Sequence, residues 1–300
     1  MADTVAAAEL LEWRRTQLQA GGQASQLDWL LDLEGGIHWQ TLQQLRLYPD
    51  RAVHLAAPLT RLAQLWHEHL NLGIPLQYLV GRCPWRDLEL EVAPGALIPR
   101  QETELLIDLA AELIAPTLPP RDGSSPWLWA DLGTGTGCLA LALARAWPGS
   151  KGFGVDQSPH ALALAGRNLN AHQLQGAVEL RQGSWWEPLA DCAGALKLVV
   201  SNPPYIPTAV WAELEAGVRD HEPSLALDGG VDGLDAIRAI AAGANSHLAP
   251  GGWLLLEHHH DQSSAVLALL MAAGLEQVEA HRDLEGVWRF ASGRRPGATP

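Results

Sequence analysis

Trp127-Leu128-Trp129-Ala130-Asp131-Leu132-Gly133-Thr134-Gly135-Thr136-Gly137 decides the fold class of this chain. An apolar run enters a glycine turn, and the helical run Cys138 to Ala146 follows. Strand, glycine turn and helix in that order build a nucleotide-type cofactor site at the edge of an open α/β sheet. The glycines let backbone approach a ligand, and the helix N-terminus presents free N–H groups. The G-x-G-x-G spacing differs from the dinucleotide G-x-G-x-x-G. Downstream, Gly152-Phe153-Gly154-Val155-Asp156 reads as a second short strand ending in an acid, where a carboxylate binds ribose hydroxyls. A G-x-x-x-x-G-K-[ST] loop is missing, which argues against phosphoryl transfer. From about residue 101, strands alternate with helices as in a parallel sheet.

A third strand end carries the chemistry. Asn202-Pro203-Pro204-Tyr205 stands directly behind Leu198-Val199-Val200-Ser201. A primary amide or exocyclic amine has two N–H donors and a lone pair delocalised into its π-system, so it is a poor nucleophile until both protons are engaged. The Asn202 side-chain oxygen can take one. The carbonyl of Pro203, turned outward because two prolines fix their own φ and bias the preceding residues toward extended backbone, can take the other. Tyr205 can lie against the flat group. Alone, the motif also reads as an ordinary strand-ending turn. Its company decides, because ligands in doubly wound sheets bind at the carboxyl ends of strands.

The glycine turn resembles the first motif of Rossmann-type S-adenosylmethionine-dependent methyltransferases, and Asn-Pro-Pro-Tyr is similar to the signature of those that methylate planar nitrogen. More specifically, Pro75-Leu76-Gln77-Tyr78, Gly81, Leu97-Ile98-Pro99-Arg100, Thr103-Glu104 and Gly183-Ser184-Trp185 resemble the HemK/PrmC family. So do Glu222-Pro223-Ser224-Leu225-Ala226-Leu227-Asp228-Gly229-Gly230 and Asp232-Gly233-Leu234. Members of that family methylate the side-chain amide of the glutamine in the Gly-Gly-Gln loop of peptide chain release factors. The resemblance implies a Rossmann-like class I fold with an N-terminal helical bundle, and a sheet finished by an antiparallel hairpin from Gln277 to Ala280 and Gly286 to Phe290. It places S-adenosyl-L-methionine against Asp131, Gly133, Thr134, Gly135, Thr136, Gly137, Asp156, Trp185 and Asn202. Catalysis falls to Asn202, Pro203, Pro204 and Tyr205.

The chain departs from the family at two places. Glu257 is followed by His258-His259-His260 where an aliphatic residue and glycine are usual, which puts the local backbone in question. Val287 and Trp288 replace polar positions of the last hairpin. Three adjacent imidazoles cannot all face one way on a strand, so no metal site is expected at the histidines. Either ring of Trp185-Trp186 can cover an adenine or pack as an ordinary aromatic. Glu102 and Glu104 either close over the methionine end of the cofactor or cap the helix Thr103 to Leu113. Gly21-Gly22-Gln23 is a glycine break between helices rather than a self-methylation target.

Three hundred residues that are 47% hydrophobic suffice for one large or two modest domains. No apolar stretch is long enough for a transmembrane helix, and the N-terminus lacks a basic signal-peptide region. Cys83, Cys138 and Cys192 are widely spaced without a C-x-x-C pair, which suits a reducing cytoplasm and argues against zinc or disulfides. A formal net charge of −14, with Lys only at positions 151 and 197, opposes sequence-specific nucleic-acid binding. Since Asn-Pro-Pro-Tyr also occurs in enzymes acting on adenine N6, that charge is what favours a protein substrate. An N6-adenine or other nucleic-acid methyltransferase, and a non-catalytic cofactor-binding module on a translation partner, are the alternatives.

Leucines recur at helical spacing through residue 73, with breaks at Gly21-Gly22, Gly35-Gly36, Pro49 and Gly73. Residues 1–74 are therefore expected to form a helical bundle that recognises the release factor or merely supports the catalytic part. Residues 75–100 alternate around Pro84 and Pro94-Gly95 as a β-hairpin linker, and 101–300 form the methyltransferase domain.

Overall fold

The computed structural model describes residues 3–117 and 126–297. They form two compact units: one reaches to Gly81 and includes Ala216–His221, and the other spans Arg82–Glu215 and resumes at Glu222.

In the first unit β1 (Asp3–Ala6) pairs antiparallel with β2 (Ala52–Leu55) beside helices α1 (Ala7–Ala20), α2 (Ala24–Leu33), α3 (Trp39–Leu45), α4 (Leu59–Leu72) and α5 (Leu76–Val80). The small ribbon is absent from the all-helical expectation. It is only four residues per strand, too short to register against the surrounding leucine periodicity. Leu62, Leu65 and Trp66 lie three and four positions apart on α4 and bury one face against Leu10, Leu27, Leu30 and Leu31. Gly22 makes the break between α1 and α2: its φ is +83°, and a Cβ there would stand 2.4 Å from the Trp66 ring. The sequence reading set a boundary after residue 74. In the structure Leu76, Leu79 and Val80 of α5 pack with the bundle, because their apolar face needs its core.

The second unit opens with the hairpin β3 (Arg82–Trp85) and β4 (Leu88–Glu91). This is less a linker than a piece of the unit's core, since Trp85, Leu88 and Leu90 are buried with Leu106, Ile107 and Trp129. The chain continues through α6 (Leu105–Ile114), β5 (Leu128–Leu132), α7 (Cys138–Ala146), β6 (Lys151–Asp156), α8 (Pro159–Ala171) and β7 (Val178–Gln182). Then follow β8 (Leu196–Ser201), α9 (Thr208–Trp211), α10 (Ala216–Arg219, which belongs to the first unit), α11 (Asp235–His247), β9 (Leu248–Glu257), α12 (Ser263–Ala272), β10 (Glu276–Arg282) and β11 (Trp288–Arg294).

Seven of these strands form one sheet in the order β7-β6-β5-β8-β9-β11-β10. β5 to β9 are mutually parallel, and the hairpin β10–β11 closes the edge antiparallel to β9. The inner parallel strands β5, β6, β8 and β9 are buried on both faces, hence nearly continuously apolar, whereas β7 at the edge carries Glu179, Arg181 and Gln182. Trp129 of β5 is fully buried and its indole N–H donates to Ser150 Oγ at 2.8 Å. Gly152 on the neighbouring strand makes room for it, since a Cβ there would lie 2.2 Å from the ring. No helix among the described residues is long and apolar enough to cross a membrane.

Candidate active site

Strand order reverses between β5 and β8, the switch point at which open sheets bind ligands. Ser201 Oγ donates to the Leu132 carbonyl at 2.5 Å, fastening these two strand ends together. Above them is a cavity of about 250 Å³ lined by Gly133, Thr134, Gly135, Thr136, Asp156, Trp185, Asn202 and Pro204. Gly95–Leu97, Arg100, Thr103, Cys138, Pro223, Leu225 and Ala226 also line it.

At the β5 end, Gly133, Gly135 and Gly137 all have positive φ. Gly137 starts α7, where a Cβ would press on Leu141 and Ala165 at 3.0 and 3.2 Å. Asp131 lies beneath the turn rather than on the cavity wall. It is fully buried, accepts from Thr134 Oγ1 at 2.6 Å, and burial pushes its carboxyl up to about 7. Asp156 Oδ2 accepts Gly135 N at 2.9 Å and Oδ1 accepts Ser158 N at 2.9 Å. Burial raises its carboxyl too. Cys138, the first residue of α7, has its thiol pushed up to about 12 by burial and by the nearby Asp131 carboxylate.

The two tryptophans separate. Trp185 adopts a left-handed backbone, φ 48°, and its ring lines the cavity beside Gly133, 3.6 Å from where a Cβ would stand. Trp186 is core: it donates to the Ile240 carbonyl at 3.0 Å and stacks on His247. Glu102 and Glu104 do neither of the things expected. They form a short 3-10 turn outside the cavity lining, no side chain caps α6, and Glu104 Oε1 accepts the Arg86 backbone N–H at 2.9 Å.

At the β8 end, Asn202 Nδ2 donates to Thr103 Oγ1 at 3.0 Å, and Thr103 Oγ1 donates to Glu257 Oε2 at 2.7 Å. Tyr205 Oη donates to the other oxygen, Glu257 Oε1, at 3.1 Å. Parallel pairing of Ser201 with Leu256 is what carries Glu257 alongside Asn202. Burial pushes the Glu257 carboxyl up to about 7 and holds the Tyr205 phenol far above its ordinary value. Pro203 is buried and, with Tyr205, lies behind the lining formed by Asn202 and Pro204.

Several supporting residues have no motif to announce them. Asn168, buried on α8, donates to the carbonyls of Thr136 at 2.9 Å and Glu91 at 3.0 Å and accepts Glu91 N at 2.7 Å. It ties the glycine turn to β4. The buried Glu222 accepts Arg100 Nη2 at 2.7 Å and Ile98 N at 3.2 Å, joining two parts of the cavity wall. Gln262 Nε2 donates to the Tyr205 carbonyl at 2.9 Å.

The histidine run keeps an ordinary backbone, since none of the three has positive φ. The glycine usual there is therefore dispensable. His258 is buried with Nδ1 donating to the His259 carbonyl, and burial lowers its pKa. His259 lies 6.5 Å from the Tyr205 ring and pairs with Asp261. Among the described residues no group of three His, Cys, Asp or Glu could hold a metal.

The sequence model of the methyltransferase small domain family matches residues 103–213. A release factor glutamine methyltransferase of Prochlorococcus marinus is 50% identical over 290 residues, 97% of each chain. Another of that name, from Thermosynechococcus vestitus, is 45% identical over 84% of each chain. Among solved structures, the hMettl16 catalytic domain shares the fold, with a TM-score of 0.54 at 13% identity over 84% of this chain and 86% of that one.

Proposed function

This chain belongs to the release factor glutamine methyltransferase family, and from that premise we infer that it methylates the side-chain amide nitrogen of a glutamine in peptide chain release factors, using S-adenosyl-L-methionine. The observation that carries the inference is the 50% identity sustained over 97% of both chains. The cavity fits the cofactor. The glycine backbone and the Trp185 ring both line it, and each Asp156 oxygen, accepting one backbone N–H, keeps a lone pair for a ribose hydroxyl. Gly133, Gly135, Asp156 and Trp185 would hold the nucleoside, with Thr134, Thr136 and the first turn of α7 beside it. Asp131 acts from below by fixing Thr134. When bound, the cofactor supplies an electrophilic methyl on a positively charged sulfur.

Asn202 Oδ1 and the Pro203 carbonyl engage the two amide protons of the substrate, which favours the pyramidal nitrogen with its lone pair exposed. Thr103 and Gln262, the neighbouring donors, are spent elsewhere, on Glu257 and on the Tyr205 carbonyl. Tyr205 and Pro204 flank the flat group. The reaction disperses charge, so alignment and exclusion of water matter more than an acid or a nucleophile. Tyr205 stays a phenol and Glu257 is engaged by two donors, so neither serves as a base. The methylated, protonated amide is strongly acidic and gives its proton to a carbonyl or to water.

The net charge of −14 supports a protein substrate over a nucleic acid, and the substrate's place in translation supports a cytoplasmic location. The N-terminal unit is assigned to recognising the body of the release factor. Labelled cofactor incubated with release factor, its Gln-to-Ala variant and nucleic acid tests the whole reading. Label is expected in the intact release factor alone; label in nucleic acid, or in the Gln-to-Ala variant, would overturn it.

A further inference from the structure

We propose that Glu257, acting through Thr103, sets the polarity of the Asn202 side chain, and so determines that the site recognises a hydrogen-bond donor. An asparagine amide is nearly symmetric in shape and opposite in chemistry at its two ends. Its oxygen accepts and its nitrogen donates. Turned one way, Asn202 meets a substrate N–H with an acceptor. Turned the other way, it opposes N–H with N–H.

Nothing in Asn-Pro-Pro-Tyr itself selects between these. The selection comes from three bonds with fixed senses. Ionised Glu257 can only accept, and both of its oxygens are taken, Oε1 by the Tyr205 hydroxyl at 3.1 Å and Oε2 by the Thr103 hydroxyl at 2.7 Å. The single Thr103 proton is thereby spent on Glu257. What Thr103 Oγ1 has left is a lone pair, so the Asn202 end that faces it must be the donor Nδ2, at 3.0 Å. Oδ1 remains for the ligand. Thr103 is 2% exposed and Glu257 1%, so water does not compete at either joint. The same carboxylate holds the Tyr205 hydroxyl, so one buried group orients both the amide and the ring that flanks the substrate. Thr103 and Glu257 are positioning residues: Glu257 lies outside the cavity lining and acts through Thr103 and Tyr205, and Thr103, whose side chain also reaches the wall, acts by holding Asn202.

This rests on the function proposed above, and the experiment separates the two. Two short Gly-Gly-Gln peptides compete for the enzyme, one with glutamine and one in which glutamine is replaced by the γ-methyl ester of glutamic acid. The ester is neutral and offers acceptors only. Wild type is expected to bind the amide at least about 10-fold better, since a site built to accept an N–H rejects its isostere. Thr103→Val, which keeps shape and charge, frees Asn202 to turn; the preference should fall by about 3-fold or more, the Pro203 carbonyl alone still selecting for N–H, while cofactor affinity, measured by calorimetry, changes little. Thr103→Ser should restore the preference. Glu257→Gln, which can send a donor toward Thr103, should lose it as well, and serves where Thr103→Val does not fold. A preference kept in Thr103→Val or Glu257→Gln, or lost equally in Thr103→Ser, overturns the assignment. A wild-type enzyme that methylates no release-factor glutamine overturns the underlying function instead.

Discussion

Asp156 Oδ2 accepts the backbone N–H of Gly135 at 2.9 Å, so the acid that ends β6 braces the glycine turn that follows β5. One carboxylate thus shapes the cavity wall and, in the proposed function, offers its remaining lone pairs to the ribose. Asp156→Ala removes both effects. Cofactor affinity is expected to weaken by about 1.5–3 kcal/mol, the range for hydrogen bonds to a charged group. Calorimetric titration checks this, and unchanged affinity would show that Asp156 does not reach the nucleoside.

Asn202→Ala should leave cofactor binding nearly intact and lower turnover by about 100-fold or more, because its oxygen matters chiefly in the transition state. Single-turnover methylation of release factor gives the answer. A rate near wild type would remove Asn202 from the mechanism.

The Glu257 carboxyl, at about 7 when folded, predicts opposite pH trends for activity and stability. Below that value it carries a proton, and one oxygen becomes a donor that disturbs the senses of the Thr103 and Tyr205 bonds. Turnover should therefore rise with pH through about 7. For stability the folded pKa lies above the unfolded one, so the folded state binds the proton more tightly. This contribution is full at low pH and is lost as pH rises from the ordinary carboxylate range through about 7. Asp131, also at about 7, adds in the same direction. Glu257→Gln should flatten both curves, measured as initial rate and as Tm. An unaltered pH–rate profile would dissociate Glu257 from the rate.

Asn168→Ala strands the Thr136 carbonyl in a buried position and the Glu91 N–H and carbonyl in a part-buried one, which should cost about 1–3 kcal/mol in denaturant unfolding. A loss below about 0.5 kcal/mol would mean that water replaces the side chain.

Trp39, Leu47 and Tyr48 are large, exposed side chains on and after α3. If the N-terminal unit grips the release factor, changing all three to Ala should raise KM for the intact factor about 10-fold and leave a short Gly-Gly-Gln peptide unaffected, as hot-spot aromatics do. Equal effects on protein and peptide would make the unit a support.

Local chemistry was readable in the sequence, and contacts made at a distance were not. The turn from Gly133 to Gly137 and the strand ends at Asp156 and Asn202 each announce themselves within a few residues, because backbone conformation and strand patterning are local. Thr103 and Glu257 were in view only as family positions. Their hydrogen bond joins residues 154 apart, and the parallel register that brings them together leaves no trace in either segment. Asn168 looks like any helical asparagine until α8 is laid against β4 and the glycine turn. The segment Ala216–His221, with His221 Nε2 against the Leu72 carbonyl at 2.9 Å, joins the N-terminal unit although it follows the catalytic motif in sequence. A single cut near residue 73 therefore does not remove that unit cleanly.

Cys138 opens onto the same cavity as Asn202. A thiolate is a far stronger nucleophile than any amide, and one that reached an activated methyl group would be alkylated in the amide's place. Burial, reinforced by the Asp131 carboxylate beneath it, pushes this thiol up to about 12 and keeps its proton in place at neutral pH. The burial that shapes this wall thus also holds the reactive thiolate share of Cys138 far below that of a free cysteine.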